Sequence, residues 1–118
     1  MAKIVFLSSD LMFSSRVGGA AKQLNLELVL VPNVASLPAK ITADCGLVLL
    51  DLTLDGLNLP SVVKAVKSAA PQAKVVAYGA HVDHAGLADA ADAGCDLVLT
   101  RNQFNQQYAD LLKAAVAA

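Results

Sequence analysis

Aromatic residues are scarce in this sequence: it has no tryptophan, two tyrosines and three phenylalanines. Any core must therefore be aliphatic, and alanine, leucine and valine supply 22, 19 and 14 of the 118 residues. Charge is scarce as well. Asp, Glu, Lys and Arg make up 16% of the chain, against about a quarter in an average domain. Nine basic residues face ten acidic ones, for a net charge of −1. Without a basic excess there is no electrostatic footprint for a nucleic acid, so none is expected as a partner. An apolar content of 56% excludes intrinsic disorder, which needs low hydropathy and high net charge.

Cysteine is limited to Cys45 and Cys95, with no CxxC or HxxxH spacing near either. That pattern excludes a disulfide framework and a zinc knuckle, and fits reduced thiols. Long apolar runs are absent too, and nothing approaches the roughly 20 residues of a membrane span. The opening MAKIVFLSSD holds only the short apolar stretch Ile4–Leu7, where a secretory signal needs about 7–15 such residues. The expectation is a cytoplasmic protein with no membrane contact, forming one domain over residues 1–118.

What the sequence does contain is two alternating periodicities. Aliphatic runs occur at Ile4–Leu7, Leu26–Val31, Leu47–Leu50, Val75–Tyr78 and Leu97–Leu99. They are read as strands buried on both faces. Between them, Phe13, Val17, Ala20 or Ala21 and Leu24 recur at helical spacing, as do Val62, Val63, Val66, Ala69 and Ala70, and then Phe104, Tyr108, Leu111, Leu112 and Ala115. Val34–Ala43 reads as a weaker helix with Pro38 inside it, and His84–Ala93 as an alanine-rich helix ended by Gly94. The Gly18-Gly19 pair inside the first helix is read as a place of close packing or a kink, with a partner helix as the sharper alternative. Strand–helix alternation predicts a three-layer α/β fold of flavodoxin-like type. It has a five-stranded parallel sheet in the order 2-1-3-4-5 and five helices.

Ligands of such sheets bind beyond the carboxyl ends of the strands, near the switch in strand order. Ser8, Ser9 and Asp10 end the first strand there, Asp51 the third, Gly79 the fourth, and Thr100, Arg101 and Asn102 the fifth. A carboxylate at Asp51 is read either as capping a loop or pairing with Arg101, or as a site carboxylate: a phosphoacceptor or an ion ligand.

At these residues a family resemblance emerges. Leu47-Val-Leu-Leu-Asp51-Leu-Thr-Leu-Asp-Gly56 resembles the strand and loop around the phosphoacceptor aspartate of response-regulator receiver (CheY-like) domains of two-component signal transduction. Lys3-Ile-Val-Phe-Leu-Ser-Ser-Asp-Leu-Met-Phe13 resembles their first strand and its acidic end, and Ala93-Gly94-Cys95-Asp96 followed by Leu-Val-Leu-Thr-Arg101 resembles the run into their fifth. The resemblance implies Asp51 as the phosphoacceptor position. It also exposes departures. Ser8 and Ser9 stand where receivers carry two acidic Mg²⁺ ligands, with Asp10 one position later. Gly79 replaces the hydroxyl-bearing switch residue, Arg101 the lysine, and Asn102 the proline after it.

Phosphoryl transfer to a carboxylate needs a divalent ion to neutralise the transferring oxygens, and two serines bring no charge. Asp51, alone or with Asp10, is at best a weak Mg²⁺ site, and Arg101 is expected to clamp Asp51 in the ion's place. The expectation is thus a degenerate pseudo-receiver: a stand-alone, non-enzymatic signalling module that needs no cofactor and acts by protein–protein contact. Stand-alone here rests on the chain leaving no room for an output domain after the fifth helix. By the resemblance, the contact surface is the face of helix 4, strand 5 and helix 5, used for a partner or for self-association. Leu87, Ala91, Thr100, Gln103 and Gln107 lie on it. Two alternatives stand beside it. One is a Mg²⁺-dependent, phosphorylatable response regulator or phosphorelay protein with Asp51 as acceptor. The other is a small flavodoxin-like ligand binder holding a phosphate on Ser8, Ser9, Ser14 and Ser15. His81 and His84 are read as exposed residues of a loop before the fourth helix, Asp83 as that helix's cap, and Asn102 as the cap of the fifth.

Overall fold

The structure is a computed structural model and describes residues 3–117. Eleven elements follow one another: β1 (Lys3–Leu7), α1 (Leu11–Gln23), β2 (Glu27–Val31), a 3-10 turn (Val34–Ser36) running into α2 (Leu37–Lys40), β3 (Cys45–Asp51), α3 (Leu59–Ala69), β4 (Lys74–Gly79), α4 (His84–Asp92), β5 (Leu97–Thr100) and α5 (Arg101–Ala117). The strands form one parallel sheet in the order β2-β1-β3-β4-β5. The expected architecture is therefore the observed one.

Side-chain alternation along the central strands divides the core into two aliphatic layers. Val5, Leu7, Val48, Leu50, Val75 and Ala77 face α2, α3 and α4, meeting Leu37, Val62, Val66 and Ala90. Ile4, Phe6, Leu47, Leu49, Val76 and Tyr78 face α1 and α5, meeting Phe13, Val17, Phe104 and Leu112. The central strands are buried on both faces, so their sequences read as continuous apolar runs. β2 departs from that expectation. It lies at the sheet edge, its Glu27 is exposed and Leu30 is 48% exposed. Its run resembles a central strand because residues at an edge still pack on one side.

The second helix is shorter than its sequence window. Pro38 falls in the first turn of α2 rather than inside a longer helix, because proline has no N–H to donate and suits only that position. Gly94 follows α4 with φ +101, the left-handed conformation that ends a helix. The Gly18-Gly19 pair is not forced by close packing. A Cβ on Gly18 would lie 3.7 Å from Leu28 Cδ2, an ordinary contact, and one on Gly19 would meet nothing within 4 Å.

Candidate functional site

β1 and β3 are neighbours in the sheet, and the chain leaves them for opposite edges. Their carboxyl ends therefore flank the crevice of the strand-order switch. Asp51 ends β3 there and is only 1% exposed. Both its oxygens are taken by the chain itself. Ser8 Oγ donates to Oδ2 at 2.8 Å, while Thr53 donates to Oδ1 from its backbone N at 3.0 Å and from its hydroxyl at 2.7 Å. The Asp-x-Thr spacing makes the last two bonds local, since a side chain in a tight turn readily bonds a group two residues away.

Ser8 is the hub of this corner. Its Oγ accepts from Asp10 N at 3.0 Å and lies 3.4 Å from the Tyr78 hydroxyl. Tyr78 in turn belongs to a cluster holding every aromatic residue of the chain. Its ring stacks on Phe104 at 4.1 Å between centroids, Phe13 meets both rings edge-on, and Phe6 and Tyr108 close the ends. Burial raises the Tyr78 phenol well above its ordinary value, with the Ser8 hydroxyl opposing and Asp51 adding to the rise, so it stays a neutral hydroxyl at physiological pH.

Arg101 does not clamp Asp51. Its Nη2 meets Asp10 Oδ2 at 2.5 Å, and its guanidinium carbon lies 4.5 Å from the centre of the Phe13 ring. Neither of the two ion pairs among the described residues involves Asp51. The reason is geometric. Asp10 is the N-cap of α1, accepting from Phe13 N at 3.1 Å, which sets it on the rim beside the start of α5, whereas Asp51 lies beneath Ser8 and Thr53. The Phe13 N–H, then the Arg101 guanidinium, hold the Asp10 carboxyl below its ordinary value.

The residues present do not fit a divalent cation. Asp51 is the only buried carboxylate among the described residues, Ser8 already bonds it, Ser9 is exposed, and the neighbouring Asp10 is committed to a cap and an ion pair. Among the described residues no three His, Cys, Asp or Glu side chains converge on a metal position. Gly79 is buried, and a Cβ there would meet Leu52 Cβ and Cδ1 at 3.3 Å. Leu52 thus fills the space a side chain at Gly79 would need. Nothing in the sequence pattern pointed to Leu52, while Thr53 and Tyr78 were visible only as residues near strand ends.

The other expected residues separate. His81 and His84 are exposed, and Asp83 caps α4 as expected, accepting from Gly86 N at 3.0 Å. α5 is not capped by Asn102. Thr100 and Gln103 cap it together: Gln103 N donates to Thr100 Oγ1 at 3.2 Å and Thr100 N to Gln103 Oε1 at 2.9 Å. The Thr-x-x-Gln spacing of this capping box was legible in the sequence. On the face of α4, β5 and α5, Ala91 and Gln103 are exposed, while Leu87, Thr100 and Gln107 are half-buried.

No protein-family model matches the chain, and no curated protein matches it. Solved structures do resemble it. The beryllofluoride-activated DrrB receiver domain superposes with a TM-score of 0.81 at 18% identity, covering 100% of this chain and 99% of that one. A two-component response regulator from Clostridium difficile gives 0.80 at 16% identity, covering 99% and 97%. A CheY-like receiver domain protein from Methanospirillum hungatei gives 0.75 at 13% identity, covering 99% and 98%. At such identities the likeness is one of fold: this chain has the architecture of response-regulator receiver domains.

Proposed function

We propose that the chain uses its receiver fold as a signalling module that recognises protein partners without phosphorylation of Asp51, as a pseudo-receiver in the cytoplasm. One observation carries this reading. The buried Asp51 carboxylate has both oxygens bonded by Ser8 and Thr53, with no second carboxylate turned toward it. A phosphoryl donor would have to displace these hydroxyls and bring its own countercharge, because phosphoryl transfer to a carboxylate depends on a cation at the transferring oxygens. Gly79 carries no hydroxyl that could follow a phosphoryl group, and Leu52 packs where its side chain would lie. The fold thus serves as a rigid scaffold for contact rather than as an enzyme.

The α4–β5–α5 face is a proposed contact surface, for a partner or a second copy, through Leu87, Ala91, Gln103 and Gln107. Thr100 belongs to it mainly through its cap. The position of Asp51 at the end of β3 favours a second reading, a slow Mg²⁺-dependent phosphoreceiver. A phosphate-binding flavodoxin-like role is disfavoured by Asp10, whose carboxylate occupies the N-terminus of α1 where an anion would bind.

Intact-mass measurement after acetyl phosphate and Mg²⁺ treatment, paired with amide NMR during a Mg²⁺–beryllofluoride titration, separates the readings. The expected outcome is no added phosphoryl group and unmoved resonances at Asp51, Thr53 and Gly79. Stoichiometric modification of Asp51 would establish the second reading instead.

A further inference from the structure

The helical layer is thin at α2. That helix has four residues and α3 has eleven, lengths of about 6 and 16 Å. A single turn cannot cover a neighbour of three turns. On the facing side α3 presents Ser61 and Ala65, one turn apart and both small. The two helices therefore do not interlock, and a cavity of about 330 Å³ lies between them.

The chemistry of this cavity is one-sided. Leu37 and Ile41 from the α2 segment and Val62 and Val66 from α3 form its floor, and all four are buried. Asn58 and Ser61 are the only polar side chains among its lining residues, and no charged one lines it. Both are exposed, so they mark its mouth. The Asn58 carbonyl is spent on capping α3, accepting from Ser61 N at 3.1 Å, which leaves the Asn58 amide and the Ser61 hydroxyl to meet a ligand. The larger cavity between α3 and α4, of about 650 Å³, is lined instead by Lys64, Asp89 and Asp92, whose charges keep it hydrated. Apolar walls with a few polar groups at one end are the ordinary composition of a small-molecule site.

Size and charge narrow the ligand. An apolar cavity of about 150 Å³ accepts one benzene, so this one has room for roughly twice as much. An ionised ligand would lose its hydration without meeting a countercharge. Entry is through α2. Lys3 Nζ ties its C-terminal end, donating to Lys40 O at 2.8 Å and to Thr42 Oγ1 at 2.9 Å, whereas its N-terminal end has no side-chain cap. A single turn held at one end opens at little cost.

We propose that the cavity between α2 and α3 binds a neutral, compact apolar molecule of about two fused rings, with one hydroxyl or carbonyl group directed to Asn58 and Ser61. The cavity shares no lining residue with the Asp51 corner or with the proposed contact residues of the α4–β5–α5 face, so the site stands whether or not Asp51 is phosphorylated.

The test is an amide NMR titration of the full chain with naphthol, with naphthoate as its charged counterpart. Naphthol is expected to saturate one site with a dissociation constant below about 1 mM, moving the resonances of Leu37, Ile41, Ser61 and Val66. Naphthoate should bind at least about tenfold more weakly. Ala65→Phe places a ring in the cavity from an exposed helix position and should weaken naphthol at least about tenfold while keeping the dispersed spectrum of the folded protein. If that variant loses its dispersion, Ser61→Leu makes the same measurement, since the α3 cap uses only the Ser61 backbone N–H. The proposal is overturned by shifts that do not saturate or that scatter over several elements, by naphthoate binding as tightly as naphthol, or by undiminished binding to the folded cavity-filling variant.

Discussion

Replacing Ser8 by alanine tests whether a hydroxyl has taken over the support of the Asp51 carboxylate. The Ser8 hydroxyl donates to Asp51 Oδ2 at 2.8 Å and accepts from Asp10 N at 3.0 Å. Ser8→Ala deletes both bonds and leaves a buried, charged oxygen without a donor. A hydrogen bond to a charged group contributes about 1.5–3 kcal/mol, and stranding its buried partner adds to the loss. The expected destabilisation is about 2–3 kcal/mol. For a chain of this length the unfolding entropy at the midpoint is roughly 0.25 kcal/mol/K, so Tm should fall by roughly 10 °C. Asp51→Asn is the counterpart. Its carbonyl oxygen still accepts from Thr53 while its amide donates to Ser8, and no buried charge remains, so stability should stay within about 1 kcal/mol of the parent. In the Ser8→Ala background the same asparagine should recover part of the loss, because the stranded charge is gone. Thermal and urea unfolding followed by circular dichroism give all four corners of this cycle. If Ser8→Ala stays within about 0.5 kcal/mol of the parent, water or another group serves Asp51 equally well, and the account of a self-satisfied pocket is refuted.

Other outcomes follow from the same geometry. Gly19→Ala has open space for its Cβ and should stabilise the fold by about 0.5–1 kcal/mol in urea unfolding; a loss would reveal a packing demand the structure does not contain. Thr100→Ala should cost about 1 kcal/mol through the broken α5 cap, whereas Asn102→Ala should change stability by less than about 0.5 kcal/mol, the reverse of the ranking expected from sequence. Stability should fall in acid. The Phe13 N–H and Arg101 hold Asp10 below its ordinary value of 3.8, and for Asp96 the Lys67 and Val75 hydrogen bonds outweigh an opposing effect of burial. The unfolded chain then binds more protons than the folded one, so this stabilisation is full above about pH 4–5 and is lost as pH drops through the folded values. Asp10→Asn should flatten that decline in pH-dependent unfolding. The Cys95 thiol is pushed up to about 11 by burial, with Asp96 adding to the rise; its alkylation at pH 8 should be slow and accelerate steeply at higher pH.

The α/β class, the strand order and the two-sided burial of the central strands were legible in the sequence. They depend on local patterns: aliphatic runs for the central strands, helical spacing between them, and short connections that leave few right-handed arrangements. Asp51 was legible too, because a carboxylate closing an apolar run at the switch point can lie nowhere but in the crevice. The cap of Asp83 and the turn at Gly94 were readable for the same local reason. What serves Asp51 was not. Sequence placed Asp10, Asp51 and Arg101 at strand ends without heights or directions, and an arginine reaches several carboxylates equally well from such a position. Only the folded chain shows Asp10 turned outward as a helix cap to take Arg101, with Ser8 and Thr53 left to bond the buried aspartate. Backbone pattern is a near-neighbour property that the chain carries along its length. The choice of partner for a side chain is decided by packing between distant segments, and therefore only by the tertiary structure.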